Sequence, residues 1–501
     1  MRDARIISCY KIGFDSPLDF FPQQCYNTLM EIKEIVLALN GITPEQLEPE
    51  AQENKYKEIF DELIGSDSQI AVICDSDADG MCSARIWREY FVGSNYTIYP
   101  LDRATRNVLE IAVNLSEKIV VCLDCGSSER WEDIPNKSFY VIDHHETHHK
   151  VDGVKYINPT MDFGSTTFCT SSLLYALFEN VYGGNKVAIQ YAAIGGVADM
   201  VPMLSDNRHV VRRGLKVMNK YPCDIALEFP PYNSPYDETH IGFSIAPAIN
   251  APSRIGDNVT AIDAVIYGKQ SAISALKGAN NKRRALVKKS LEKAKIDEKT
   301  NCVIVEIDNQ GMSISGLIAN KVLASSGKPV LCINNGSVSF RSRTADVDAF
   351  IKSLPDELLA GGGHKSAAGG VIDVKEVDVV KSMFEEYCNT HHVNQDVQLY
   401  DIFTEGDDIY QLHDEWAKLK PYGQKFKAPI FGAYLTAMKI GKDVKTKSVS
   451  SGYAIIKMKS KKRTYTAISY DVPALIEVGK EYFVLFEMME GFILIKGVEN
   501  E

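Results

Sequence analysis

The sequence predicts an α/β fold: two α/β domains joined by a long helix, with a small OB-type β-barrel at the C-terminal end. Three observations predict it. Short, continuously apolar runs alternate with helical patterns through residues 61–256, and the alternation resumes through 299–395. A basic stretch without strand signals separates the two regions. After residue 396 the pattern changes to five short strands with turn residues between them. Continuous rather than alternating hydrophobicity marks parallel strands covered on both faces, and helices between such strands mark α/β architecture. At roughly 150 residues per domain, 501 residues suit about three domains.

Residues 1–60 read as a helical N-terminal extension. NTLMEIKEIVLALN (27–40) carries apolar residues at helical spacing and stops at Gly41, a C-terminal cap signal. A second, acidic helix is expected after Thr43-Pro44, since proline suits a first turn. In 61–256, QIAVICD (69–75), KIVVCLD (118–124) and SFYVID (138–143) are the strands. MCSARIWREYF (81–91) and STTFCTSSLLYALFENVY (165–182) are helices. Residues 257–298 form the connecting helix, which contains the basic stretch ANNKRRALVKKSLEKAK (279–295). In 299–395, NCVIVEI, KPVLCI and SVSFRSR read as strands and GLIANKVLASSG and VDAFIKSLPDELLA as helices. A glycine loop, a further strand and the helix VKEVDVVKSMFEEYC follow. In 396–501, GAYLTAMKI, SGYAIIKMKS, RTYTAISYD, EYFVLFEM and GFILIKGVE supply the barrel strands.

Composition narrows the function classes. No stretch approaches the ~18 apolar residues of a membrane helix. The N-terminus has Tyr and Lys inside its short apolar run, a poor signal peptide. Eleven cysteines, scattered through apolar runs such as AVICD, suit reduced thiols in a cytoplasmic protein. A structural zinc ribbon is not expected. The net charge of −11 disfavours a nucleic-acid binder only if the charge is evenly spread, so local basic stretches carry the question.

All three apolar runs of the first domain end in aspartate: Asp75, followed by Asp77 and Asp79 in DSDADG; Asp124; and Asp143, followed by His144 and His145. Carboxyl ends of parallel strands share one edge, where ligands bind. Asp199, in AIGGVADMVP, is a fourth contribution. Carboxylates gathered so closely repel, and a divalent cation resolves the repulsion. Oxygen ligands with one or two imidazoles favour Mn²⁺ or Mg²⁺. More than four candidate ligands suggest two ions, which at about 3.5–4 Å apart activate a water and spread charge from a phosphate.

The structural alternative is weighed residue by residue. A single aspartate after a strand is more often a helix cap or turn former. DSDADG partly resembles a calcium loop, but Ile86 stands where that loop carries its glutamate. Three strands ending alike, one with His-His, argue for metal. HETHH (145–149) also satisfies the zinc-protease pattern H-E-x-x-H, which needs a sustained helix. A strand ending at Ile142 and a turn at Asp152-Gly153 leave too little chain for one. His144 is therefore read as a metal ligand, His145 as a phosphate contact, and His148 and His149 as loop residues.

DSDADG, LDCG, DHH and GGVADMVP, in this order, resemble the four motifs of the DHH phosphoesterase superfamily. DNRHVVRRGL, APAINAPSRIGD, SISGLIANKVLASSGKPVLCI, GSVSFRSR, GGGHKSAAGG and LKPYGQKFKAPIF narrow the resemblance to RecJ-type single-strand-specific 5′→3′ exonucleases, over about residues 60–435. The resemblance implies a DHH catalytic domain, a DHH-associated substrate-binding domain and an OB-fold. It implies that Asp77, Asp79, Asp124, His144 and Asp199 hold two Mn²⁺ or Mg²⁺ ions, with Asp124 as bridge and Asp75 as a further ligand. Catalysis falls to Asp124, His144 and His145. Arg254, in the segment with Asn250, and His364 in the glycine loop are implied phosphate contacts. The sequence departs from the family at Pro252-Ser253, where Ala-Gly is usual, and after Arg103, where a Gly-Tyr-Gly pattern is absent.

On the substrate side, Gly361, Gly362 and Gly363 allow backbone N–H groups to approach an anion, with His364 as a further donor. A plain hairpin turn is the alternative. Arg341 and Arg343 would alternate on one strand face with Ser339. Single strands need a positive groove with stacking aromatics. Lys439, Lys442, Lys445, Lys447, Lys457, Lys459, Lys461, Lys462 and Arg463, interleaved with Tyr453, Tyr465 and Tyr470, are the barrel's candidates; Lys282–Lys295 is a second track. Solvated lysine faces are the alternative for both.

The expectation is a metal-dependent exonuclease that releases mononucleotides from single-stranded DNA, with polarity and sugar preference taken from the resemblance. A single-strand-binding protein or a helicase is an open expectation as partner, and no membrane is involved. Two alternatives remain: a DHH-family phosphodiesterase on short oligonucleotides or cyclic dinucleotides, and a catalytically inactive replication or repair scaffold.

Overall fold

A computed structural model describes residues 7–8, 32–91, 95–102, 107–147, 150–164, 167–231, 234–309, 312–355, 357–391, 402–404, 409–442, 454–461, 463–469 and 476–499. The strands of the first domain are β1 (Ile70–Cys74), β2 (Tyr96–Pro100), β3 (Ile119–Leu123), β4 (Ser138–Ile142) and β5 (Val154–Ile157). They form an all-parallel sheet in the order β2-β1-β3-β4-β5. Every residue of β1 and β3 is buried, as two central strands covered on both faces require. Val72, Val121 and Ile142 enter one core, while Ile73, Val120 and Val141 enter a second on the opposite face. This is the period-2 alternation of strand side chains. The order reverses between β1 and β3, so the crevice beyond their carboxyl ends is the topological switch point.

β2 and β5, not anticipated from the sequence, are the two outer strands. Both are partly exposed, so neither has the continuous apolar signature. The expected second N-terminal helix is instead two 3₁₀ turns, Pro44–Leu47 and Gln52–Tyr56, leading into the helix Lys57–Ile64. The first helix, Ile32–Asn40, ends at Gly41 with φ +63°.

The connecting helix, Gln270–Lys293, joins two cores. Its Ile273 and Leu276 pack in the first domain, and its Val287 packs in the second. The second sheet comprises β6 (Lys295–Glu298), β7 (Val303–Ile307), β8 (Val330–Asn334), β9 (Ser337–Arg341), β10 (Leu359–His364) and β11 (Ala367–Ile372), ordered β10-β11-β9-β8-β7-β6. Two expectations are corrected here. The helix begun at Val347 stops at Lys352, and Leu359 onward is strand. The strand carrying Ser339 stops at Arg341, so Arg343 does not continue its face.

The C-terminal strands β12 (Phe431–Lys442), β13 (Ala454–Lys459), β14 (Thr464–Ser469), β15 (Glu481–Met489) and β16 (Phe492–Glu499) close into a barrel, since β12 pairs with both β13 and β15. The parallel pairing of β14 with β16 and the β15–β16 hairpin complete the ring. The barrel docks on the first domain through residues 419–426. Buried Arg208 donates to the carbonyls of Leu419, Lys420 and Pro421, and its guanidinium lies 4.5 Å from the Phe426 ring. Glu238 accepts from the N–H of Tyr422 at 3.1 Å. Among the described residues no helix is long and apolar enough to cross a membrane.

Candidate metal centre

Strand ends assemble the site. β1 and β3 are adjacent and in register, so Asp75 and Asp124 leave the sheet at one edge, and β4 delivers Asp143, His144 and His145 beside them. Asp199 arrives separately, closing the helix Ala188–Ala198. Ligand atoms of Asp75, Asp77 and Asp124 lie within 4.8 Å of one another. The same holds for Asp79, His144 and Asp199, and for Asp124, Asp143, His144 and His145. Asp124 and His144 each belong to two of these groups.

Local structure aims each carboxylate. Asp77 caps the helix Ala78–Tyr90, accepting from the N–H of Asp79 at 3.1 Å and Gly80 at 3.2 Å through one oxygen. Asp79 accepts from the N–H groups of Thr170 (2.8 Å) and Ser171 (3.1 Å) and from the Ser171 hydroxyl, at the start of the helix Thr170–Tyr182. Its charge there complements the helix dipole. Asp124 has φ +61°, a left-handed conformation costly for a residue with a Cβ. Its Oδ1 accepts from Thr170 Oγ1 at 3.1 Å. Such strain persists where the surroundings over-determine it. Here the Trp131 indole donates to the Gly126 carbonyl at 2.9 Å, two residues further on.

The electrostatics call for a cation. Burial, then the Asp79 and Asp77 carboxylates, push Asp124 well above the usual carboxylate range. Burial likewise raises Asp199 to about 7, with His144 opposing. Burial disfavours a charged His144, but Asp199 and Asp124 outweigh it and raise the imidazole to about 9. Asp143 raises His145 well above its ordinary value; burial opposes, but His145 and His144 hold the Asp143 carboxyl well below its own. His144 Nε2 is buried 3.4 Å from Asp124 and 3.3 Å from Asp199, yet has no hydrogen-bond partner. Those contacts have ion-pair distance without hydrogen-bond alignment. An unpartnered imidazole nitrogen among carboxylate oxygens fits Mn²⁺ or Mg²⁺.

Several expectations change. Residues 143–147 carry no helix, which removes the zinc-protease reading at its first histidine; His148 and His149 lie outside the described residues. Gly362, Gly363 and His364 lie in β10, not in a loop. A side chain at Gly361 would stand 2.3 Å from the Gly369 carbonyl, so close approach of two hairpin strands explains that glycine. The Gly363 N–H is taken by Asp348 Oδ1 at 2.9 Å. Tyr465 is buried in the barrel and offers no stacking face, while Tyr453 and Tyr470 lie outside the described residues.

Other substrate-side residues do converge. Arg254 donates to the Ser313 carbonyl at 3.2 Å, and Ser313 donates back to the Arg254 carbonyl at 3.1 Å. Ser339 Oγ lies 2.8 Å from Ser315 Oγ. A side chain at Gly316 would meet Arg341 Nη2 at 2.7 Å. Two arginines and two hydroxyls thus meet at the N-terminus of the 12-residue helix Ser315–Ser326, an anion-binding arrangement. Asn250 is half-buried with Oδ1 unpartnered, and Arg343 is exposed.

Sequence reasoning missed other residues. Asp143 was read as a strand end, yet its Oδ1 lies 2.7 Å from His145 Nδ1 and orients that ring. Asn280 Oδ1, just outside the expected basic track Lys282–Lys295, and Arg283 Nε, within it, are buried without hydrogen-bond partners on the connecting helix, where it passes between the two cores. Their i, i+3 spacing on a half-buried stripe was the available signal. One C-x-x-C spacing, Cys122 to Cys125, was also passed over. Cys122 is buried in β3, and contact with it, together with burial, pushes the Cys125 thiol well up.

Residues 69–198 match the DHH family, N-terminal domain. The single-stranded-DNA-specific exonuclease RecJ of Thermus thermophilus is 26% identical over 418 residues, covering 76% of this chain and 62% of that protein. The chain therefore spans less than two thirds of that relative's length. The crystal structure of Thermus thermophilus RecJ in complex with Mn²⁺ superposes with a TM-score of 0.76 at 20% identity, over 93% of this chain and 75% of the other. The same enzyme's complex with Mg²⁺ superposes with a TM-score of 0.67 at 20% identity, over 93% and 74%. At that identity the structural likeness is one of fold.

Proposed function

We propose that this chain, similar to RecJ over 418 residues and matching the DHH family, N-terminal domain, at residues 69–198, is a metal-dependent exonuclease that hydrolyses single-stranded DNA from the 5′ end and releases mononucleotides. The observation that carries it is the buried His144 Nε2, set between Asp124 and Asp199 without an aligned hydrogen bond, beside the Asp75–Asp77–Asp124 group. Asp75, Asp77 and Asp124 would hold one Mn²⁺ or Mg²⁺ ion and Asp79, His144 and Asp199 the other, with Asp124 shared. When bound, the pair would lower the pKa of a water and offset charge building on the phosphate oxygens.

The chain's own residues do the rest. Asp143 holds His145 cationic and leaves the half-exposed ring to face an anion. Arg254, Arg341, Ser315 and Ser339 at the Ser315–Ser326 helix would take a terminal phosphate, so that chemistry starts at a strand end. Asn280 and Arg283 would meet a phosphate further along. Lys439 pairs directly opposite Lys457 in the barrel, and both are exposed. Facing like charges are unfavourable unless an anion lies between them, which supports the barrel as a track for the strand. The buried, free thiols among the described residues support a cytoplasmic setting.

Timed digestion of single strands labelled at either terminus, with RNA, duplex and dinucleotide arms and Asp124→Ala alongside, tests this reading. Progressive release from the 5′ label of DNA, lost in Asp124→Ala, is expected. Preference for the dinucleotide would replace it with the short-oligonucleotide phosphodiesterase. No cleavage with either metal would favour the scaffold.

A further inference from the structure

Two of the loops that carry metal-bearing residues are not neighbours in sequence: Asp124–Ser127 after β3 and Asp143–His145 after β4. One side chain ties them together. Asn158, fully buried at the end of β5, donates from Nδ2 to Ser127 Oγ at 3.0 Å and to the His145 carbonyl at 3.0 Å. Its Oδ1 accepts from the N–H groups of Thr160 (3.0 Å) and Met161 (3.2 Å), capping the short helix Pro159–Phe163. Thr160 Oγ1, from the same turn, donates to the His144 carbonyl at 2.6 Å. Ser127 is also held from the other side, its N–H donating to Asp143 Oδ2 at 3.3 Å.

All four hydrogen-bonding positions of the Asn158 amide are therefore used, two for local capping and two for bridging. Capping explains the acceptor. It does not explain why the donors reach one to each loop.

We propose that Asn158, assisted by Thr160, is a positioning residue for the metal centre: it locks the Asp124 loop and the His144–His145 loop in register so that carboxylates and imidazole converge on the same ions. The inference rests on the metal-centre reading above. The strained conformation of Asp124 supplies the need, because a loop that holds a residue at φ +61° relaxes unless clamped. Trp131 clamps it at Gly126 and Asn158 at Ser127. Groups that orient ligands without touching the metal typically account for 10–100-fold in affinity.

Asn158→Ser separates capping from bridging. Serine caps a helix about as well as asparagine, is neutral, and lacks the amide that spans to Ser127 and His145. Mn²⁺ affinity of the full chain is measured by calorimetry, alongside the thermal midpoint of the metal-free protein. The expected result is Mn²⁺ binding weakened at least about tenfold, with the fold retained. At saturating Mn²⁺ the KM for a single strand stays unchanged while kcat falls. Arg208→Met, which loosens the barrel contact far from this turn, serves as control: it lowers the midpoint and leaves Mn²⁺ affinity alone. Wild-type affinity in Asn158→Ser overturns the proposal. Should that variant fail to fold, Thr160→Val, near in shape and lacking only the donor to His144, decides instead, and wild-type affinity there overturns it equally. If the wild type itself binds no Mn²⁺, the metal-centre reading fails and takes this inference with it.

Discussion

Gly195→Ala, in the helix that ends at Asp199, tests the packing beneath the site. In a helix interior this change alone gains about 0.8–1 kcal/mol from propensity. Here a Cβ would stand 2.0 Å from Ser171 Oγ, 2.5 Å from Asp79 Oδ1 and 3.0 Å from Ser171 Cβ. Ser171 is buried at the start of the Thr170–Tyr182 helix and Asp79 in the first turn of the Ala78–Tyr90 helix, so neither can retreat. Overpacking costs about 1–3 kcal/mol. Loss of the Ser171–Asp79 bond, to a charged acceptor, adds about 1.5–3 kcal/mol. The clash outweighs propensity, and the net loss is about 2–5 kcal/mol. A domain of this size loses roughly 2–4 °C of midpoint per kcal/mol, so a fall of several degrees or more is expected in thermal melts of the metal-free protein. Mn²⁺ affinity should fall as Asp79 is displaced. Gly278→Ala, in the connecting helix with nothing within 4 Å of its Cβ, is the control and should gain the full propensity term. If Gly195→Ala raises the midpoint as Gly278→Ala does, the close approach of the two helices at Asp79 is refuted.

Further outcomes follow from the same geometry. Asp199 is raised to about 7, so the fold holds more protons than the unfolded chain and metal-free stability falls as pH rises through about 4–7; Asp124, raised well above the usual carboxylate range, acts in the same direction. His144, raised to about 9, stabilises fully below its unfolded value of 6.5, and that contribution is lost as pH rises through 9. Both act in one direction, so the gap between Mn²⁺-loaded and metal-free midpoints should widen from pH 5 to 8; a metal-free midpoint that climbs over that range would contradict it. Asp124→Asn should abolish cleavage while raising the metal-free midpoint at neutral pH, because it removes a buried, repelled charge. Arg208→Met should cost about 3 kcal/mol or more, at ~1–3 kcal/mol for each buried carbonyl left unpaired, read as an earlier unfolding transition of the barrel region. Arg341→Gln should raise KM for a 5′-phosphorylated strand more than for a 5′-hydroxyl strand; equal effects would remove the terminal-phosphate role.

The core of the first domain was legible because β1, β3 and β4 are central strands. Burial on both faces imposes unbroken apolar runs, and an aspartate ending each run marks the shared edge. The outer strands β2 and β5 escaped for the complementary reason, since their exposed positions interrupt the pattern. Tyr465 was misplaced because alternation along β14 does not say which face enters the barrel. The GGGH segment was misread as a loop because consecutive glycines serve close strand approach as readily as a turn.

What the sequence determined by itself is the set of local signals: which segments are strands and helices, where central strands end in acid, and which motifs resemble a DHH phosphoesterase of the RecJ type. Those follow from periodicity and side-chain chemistry within a few residues. What only the tertiary structure decided is which groups share a partner. Asp143 orients His145, Asp79 both caps a helix and faces the site, Arg208 holds the barrel, and Asn158 binds two loops together. Each of these is a contact between residues far apart in the chain, or a choice among several oxygens competing for one donor, and no local pattern encodes such a choice.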